Sequence, residues 1–202
     1  EMRDTLSNNK FGDLETPFEV VPFLLQKKWI EFDLIPQKGG GVKREFKNIV
    51  MIQDNPGLPG FNDDLPLRDE EAKLERDRVM DFFVLIPEEV KKGEALPYVL
   101  SFRRTSLKAG QKMATQMFVR NAAAGKIPPA TAMEVSMKSK ENDDGEFVVL
   151  DVIPKRESTP EEVEAAFKWF KIIKAGGAKV DEREYEKEAT VKVDADIDTK
   201  EF

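Results

Sequence analysis

Residues 96–124 read LPYVLSFRRTSLKAGQKMATQMFVRNAAA, and the organisation of the chain follows from them. The first nine read as a strand. Thr105 and Ser106 can cap a helix, and Leu107, Met113, Met117 and Phe118 suit one face of a helix over 107–124. Gly125 and the Pro128-Pro129 pair stop that helix. Upstream, residues 78–87 (RVMDFFVLIP) read as a buried strand, returned through a turn at 88–95. Downstream, residues 131–140 (TAMEVSMKSK) alternate Met133, Val135 and Met137 inward with Glu134, Ser136 and Lys138 outward. An Asn-Asp-Asp-Gly turn at 142–145 then leads to a partner strand over 146–154 (EFVVLDVIP). Ser158-Thr159-Pro160-Glu161-Glu162 carries the cap, first-turn proline and early acids of a second helix. That helix runs through Phe167, Trp169, Phe170 and Ile173 to Gly176-Gly177.

Toward the N-terminus, residues 18–34 (FEVVPFLLQKKWIEFDL) lack helical spacing and read as one long strand kinked or edged at Pro22. Glycines 39–41 turn it into a second strand over 43–53 (KREFKNIVMIQ). Residues 54–67 hold three prolines and two glycines, and 68–77 are so charged that an exposed short helix is expected; 54–77 together form an insertion. Residues 1–17 form a polar lead-in, and the domain spans 18–177. The order is hairpin, insertion, hairpin, helix, hairpin, helix, with about six strands and two helices as plugs. That is a β-rich α+β outline which fits an OB-fold-like small barrel; the same order also describes an open sheet.

Composition narrows the function. There is no Cys and no His, so disulfides, thiolate nucleophiles, imidazole bases and the commonest zinc ligands are absent. No cofactor, no metal and no enzymatic chemistry are expected. The acidic pairs Asp63-Asp64 and Asp143-Asp144 sit in turn-like contexts where Asp serves the backbone. No apolar run approaches the roughly 20 residues of a membrane span.

Two groups of residues have the chemistry to hold a single nucleic-acid strand, which needs ring faces for bases and cations for phosphates. The first hairpin offers Lys27, Lys28, Trp29 and Phe32 on one strand and Lys43, Arg44 and Phe46 on the other. Trp29 and Phe32 each read equally as core or as stacking platform, and one of them is expected to stack. The second group, Arg103, Arg104, Lys108 and Lys112, lies where a strand meets a capped helix, whose free amides favour anions.

The last 22 residues (DEREYEKEATVKVDADIDTKEF) hold nine acids and four bases, a net −5 of the chain's −7. A stretch so charged is expected to remain an acidic arm over 178–202. Its ending on Phe202, with Asp194, Asp196, Asp198 and Glu201 before it, resembles the tails of phage single-stranded DNA-binding proteins. The segment Arg-Thr-Ser-Leu-Lys-Ala-Gly-Gln-Lys at 104–112 and Trp-Ile-Glu at 29–31 are similar to stretches of the same group. The resemblance implies an OB-fold that coats single-stranded DNA without sequence preference during phage replication or recombination, in the cytoplasm of the infected host. It also implies that the five tail residues named above recruit replication or recombination proteins. Exposed hairpin edges make a homodimer possible. Two other classes stay open: a Mg²⁺-dependent DNA-processing enzyme using the acidic turns, and a protein interaction module that binds no nucleic acid.

Overall fold

The computed structural model describes residues 2–3, 10–12, 16–38, 40–142 and 145–176. Short strands β1 (Met2–Arg3) and β2 (Lys10–Gly12) pair with each other. The chain continues through β3 (Phe18–Pro36), β4 (Val42–Met51), β5 (Arg68–Asp69), β6 (Leu74–Leu85), α1 (Pro87–Lys92) and β7 (Tyr98–Arg103). A 3-10 turn (Arg104–Ser106) leads into α2 (Leu107–Ala114), which passes through a π-helical stretch (Thr115–Arg120) into α3 (Asn121–Ala123). The hairpin β8 (Thr131–Asn142) and β9 (Gly145–Glu157) and the helix α4 (Pro160–Lys174) follow. The molecule is thus β-rich with few helices, and the pairs β3–β4, β3–β8, β5–β6 and β8–β9 are antiparallel.

The described residues divide into two compact units, one formed by those up to Gln26 together with those from Met80 to Gly176, the other by those from Lys27 to Val79. In the first, β3 pairs with β8 in the register Phe18↔Val135 and Val20↔Met133, and β7 pairs with β6. The alternation read in 131–140 is borne out: Met133, Val135 and Met137 are buried and Lys138 is exposed. The core gathers Val20, Phe82, Phe102, Met113, Met133 and Val152, with Phe82 and Phe102 edge to face at 5.5 Å. Helix α2 reaches this core through Gly110. A Cβ there would stand 2.8 Å from Cβ of Phe102, so only glycine allows the approach. The helix accepts the roughly 1 kcal/mol propensity penalty of glycine in exchange for that contact.

Three local expectations are modified in this unit. Thr105 and Ser106 give no side-chain cap; Ser106 Oγ instead donates to the Arg103 carbonyl at 3.0 Å and closes the 3-10 turn. Phe118 does not join the buried face with Met113 and Met117 but is 43% exposed. The π-helical stretch takes more residues per turn than an α-helix, and the α-helical spacing that grouped the three residues does not apply across it. The segment 88–95, read as a turn, contains the short helix α1. By contrast α4 begins as its sequence dictates. Thr159 and Glu162 form a complete capping box, and Pro160 occupies the first turn. Glu162 is buried and receives both guanidinium nitrogens of Arg156, at 2.9 and 2.7 Å, and Arg156 also pairs with Glu19 at 2.5 Å. Burial works against the Glu162 carboxylate, but Arg156 and the Thr159 amide outweigh it and hold its pKa below the ordinary value.

In the second unit β3 and β4 form the expected glycine-turned hairpin, with Trp29 opposite Val50 and a register shift between Glu31 and Phe32. Ile30, Phe32 and Val79 form its core, flanked by Phe46 and Ile49. The charged stretch 68–77 is not a helix. It supplies β5 and the start of β6, with Arg76 and Asp77 buried. Arg76 reaches Glu31 at 2.7 Å, and Arg44 reaches Glu75 at 3.3 Å and Asp77 at 3.1 Å. A charged strand is tolerated inside because each charge meets its counterion across the sheet.

Candidate nucleic-acid interface

The hairpin group lies in the second unit and is largely neutralised from within. Lys27 donates to Asp54 at 2.6 Å, and this bond is the main reason the Asp54 carboxyl sits below its ordinary pKa. Lys28 is buried. Arg44 lies with its guanidinium 4.0 Å from the centre of the Phe32 ring and is paired with the two acids named above. Lys43 and Phe46 are half-buried, the latter against the local core. The rings correct the expectation that one of them stacks on a base: Trp29 is 2% exposed and Phe32 4%. The Trp29 indole Nε1 donates to the Asn62 carbonyl at 2.8 Å, so even its polar edge is used inside the fold.

The second group lies in the first unit and stays open to solvent. Arg104, Lys108 and Lys112 are exposed and Arg103 is half-buried at the end of β7. Arg104 holds a left-handed backbone (φ 47°), a conformation costing a non-glycine residue about 1–3 kcal/mol, at the sharp passage from strand to helix. Both the 3-10 turn and α2 pack on β9. Asp151 of β9 consequently accepts from Lys112 Nζ at 2.9 Å and, with its other oxygen, from Lys138 Nζ of β8 at 2.6 Å. In the β8–β9 register Lys140 stands opposite Phe147 and Lys138 opposite Val149. Cross-strand partners share a face, so Lys138, Lys140 and the half-buried Phe147 lie together on the face carrying Asp151.

Lys140, Phe147 and Asp151 are thereby added to the site, and Lys138, read in the sequence only as outward-facing, acquires a place in it. The outward alternation of 138 and 140 was the available signal. The join to Lys112 depends on the packing of α2 against β9, which no local spacing encodes.

The two lysine hydrogen bonds, Lys138 first and Lys112 second, depress Asp151 to a pKa of about 2. A carboxyl whose folded pKa lies below its unfolded value near 3.8 contributes stability that is complete above the unfolded value. That contribution is lost as pH falls through the window down to about 2. A carboxyl-carbon NMR titration is expected to place the Asp151 midpoint near 2, and Lys112→Ala with Lys138→Ala to return it toward the ordinary aspartate value. A midpoint unchanged by the double substitution would refute the bridge.

Of the acidic turns, Asp63 is engaged by Arg78 Nη2 at 2.5 Å, and Asp143 and Asp144 lie outside the described residues. So do the tail positions Asp194, Asp196, Asp198, Glu201 and Phe202. Among the described residues no three acidic side chains converge as metal ligands, and no helix is long and apolar enough to cross a membrane.

No curated protein and no solved structure matches this chain. A family model does: that of the Pam3 phage gp34-like protein, over residues 2–179. The β-rich architecture and the basic surface between β7, α2 and the β8–β9 hairpin are therefore features of a member of the Pam3 phage gp34-like family, to which this chain belongs.

Proposed function

We propose that the protein is a phage single-stranded DNA-binding protein with an OB-like fold that performs no chemistry. The observation carrying this reading is the joining of Lys112 and Lys138 through Asp151, which brings the helix that carries Lys108 and follows Arg103 and Arg104 onto the hairpin face holding Lys140 and Phe147. Cations of this number on one surface suit a run of phosphates, and a neighbouring ring suits a base, without any feature that reads sequence. The hairpin group contributes the fold rather than the contact, since its rings are buried and its cations largely paired. The acidic segment 178–202 serves as the arm that recruits replication or recombination enzymes, and by the net −5 of its last 22 residues competes with DNA for the basic surface. Family membership favours a phage setting for this activity, the infected host cytoplasm. Two protomers joined through exposed hairpin edges are compatible with it.

The test is a salt-titrated anisotropy assay with labelled oligonucleotides. Single strands are expected to bind in preference to duplex, with log affinity falling linearly against log salt at roughly 0.7 per phosphate contact. Absence of binding to a single strand at low salt would favour a protein interaction module. Strand cleavage appearing only with Mg²⁺ would favour the enzyme class.

A further inference from the structure

A second feature of the first unit is independent of the basic surface. Between the first half of β3, the π-helical stretch and α4 lies an apolar groove enclosing about 440 Å³, a volume in the range of real ligand sites. Phe23, Phe118, Phe167 and Phe170 line it with Ile127 and Pro129, and Lys174 is its one charged lining residue. The Lys174 ammonium stands 5.8 Å from the centre of the Phe170 ring, at the groove itself. The apolar surface extends past the cavity: Phe118 is 43% exposed, Val119 63% and Ile127 64%. The groove is pre-formed, because α4 is fixed at one end by its capping box and along its length by Trp169 Nε1 donating to the Ala95 carbonyl at 2.5 Å.

The charge at the groove is positive: Lys174 is in its lining, and Arg120, exposed two residues beyond Phe118, is the nearest charged residue in the chain to that ring. An occupant with a cationic group at this position would be repelled by Lys174, and one with a carboxylate there would answer it. A cavity of this size continued by an exposed apolar strip suits a large side chain inserted from an extended segment better than a compact small molecule. We propose that this groove docks an acidic segment of a partner protein, seating one bulky aromatic or aliphatic side chain among the four phenylalanines and placing a carboxylate on Lys174. This surface would give the protein a second point of attachment, separate from DNA.

A displayed library of 12-residue peptides panned against the full-length protein tests the proposal. Recovered peptides are expected to place Phe, Trp or Leu among Asp and Glu. The best of them, synthesised and labelled, is expected to lose at least tenfold in affinity to Phe118→Glu and to Lys174→Glu. Both side chains are exposed enough for the variants to fold, which an unchanged melting temperature checks, and Ile127→Glu serves as a second apolar-site variant. No enrichment, enrichment of peptides without acids, or indifference to Lys174→Glu would overturn the proposal. So would tight binding of a synthetic peptide of residues 181–202 with the same sensitivities, which would make the occupant this protein's own acidic segment. Loss of DNA binding in the oligonucleotide assay leaves this outcome untouched, so the two readings fail separately.

Discussion

Reversing charge at Arg104, Lys108 and Lys140 together is expected to reduce affinity for a single strand by about 100-fold or more at low salt, and to lower the salt slope by about 2. The slope is the decisive quantity. Three phosphate contacts at roughly 0.7 each account for it, whereas partial unfolding would weaken binding at every salt concentration without changing the number of ions released. Arg104, Lys108 and Lys140 are exposed, so the fold is expected to persist, and an unchanged circular dichroism spectrum and melting temperature establish that. The same three reversals applied to Lys27, Lys43 and Lys47 of the hairpin are expected to alter affinity only slightly, because Lys27 and Lys47 are already answered by Asp54 and Asp33. Equal losses from the two sets would return the hairpin to the interface.

Trp29→Ala is expected to destabilise the protein by about 3–5 kcal/mol, the range for truncating a large buried ring. Its ring is almost completely enclosed, and the substitution also strands the Asn62 carbonyl that accepts from Nε1. A denaturant titration followed by circular dichroism measures the loss. Any fall in DNA binding is expected to track the folded fraction, and stabilising osmolyte is expected to restore it. Had Trp29 been a stacking platform, its removal would weaken binding in a stable protein. A variant that keeps its unfolding midpoint but loses affinity would therefore reverse the assignment made from burial.

Much of the architecture was legible because it is written locally. The capping box at Thr159 and Glu162, the glycine turn between β3 and β4, and the alternation in β8 each depend on residues within a few positions of one another. The stretch 68–77 was not legible, because the partners that allow Arg76 and Asp77 to be buried, Glu31 and Arg44, lie more than 30 positions away. Strand periodicity separated the two faces around Trp29 but did not rank them. Lys28, Trp29, Ile30, Glu31 and Phe32 are all buried, so neither face is left for a ligand. The basic site was half legible: Arg103 to Lys112 stood together in the chain, while Lys138, Lys140 and Phe147 join them only through the packing of α2 on β9.

The π-helical stretch at Thr115–Arg120 makes the apolar groove a property of chain length as much as of side-chain identity. A π turn holds one residue more than the hydrogen-bonded turn of an α-helix, so the stretch is equivalent to a single-residue insertion in an otherwise regular helix. Removing one residue there would restore α-helical phase and carry Phe118 round toward the buried side occupied by Met113 and Met117. The same deletion would rotate Asn121 away from Thr131, whose hydroxyl donates to its side-chain oxygen at 2.9 Å and fastens the end of the helix to β8. Relatives that differ by one residue in this turn would therefore differ in whether they carry the groove at all, even with every lining side chain retained.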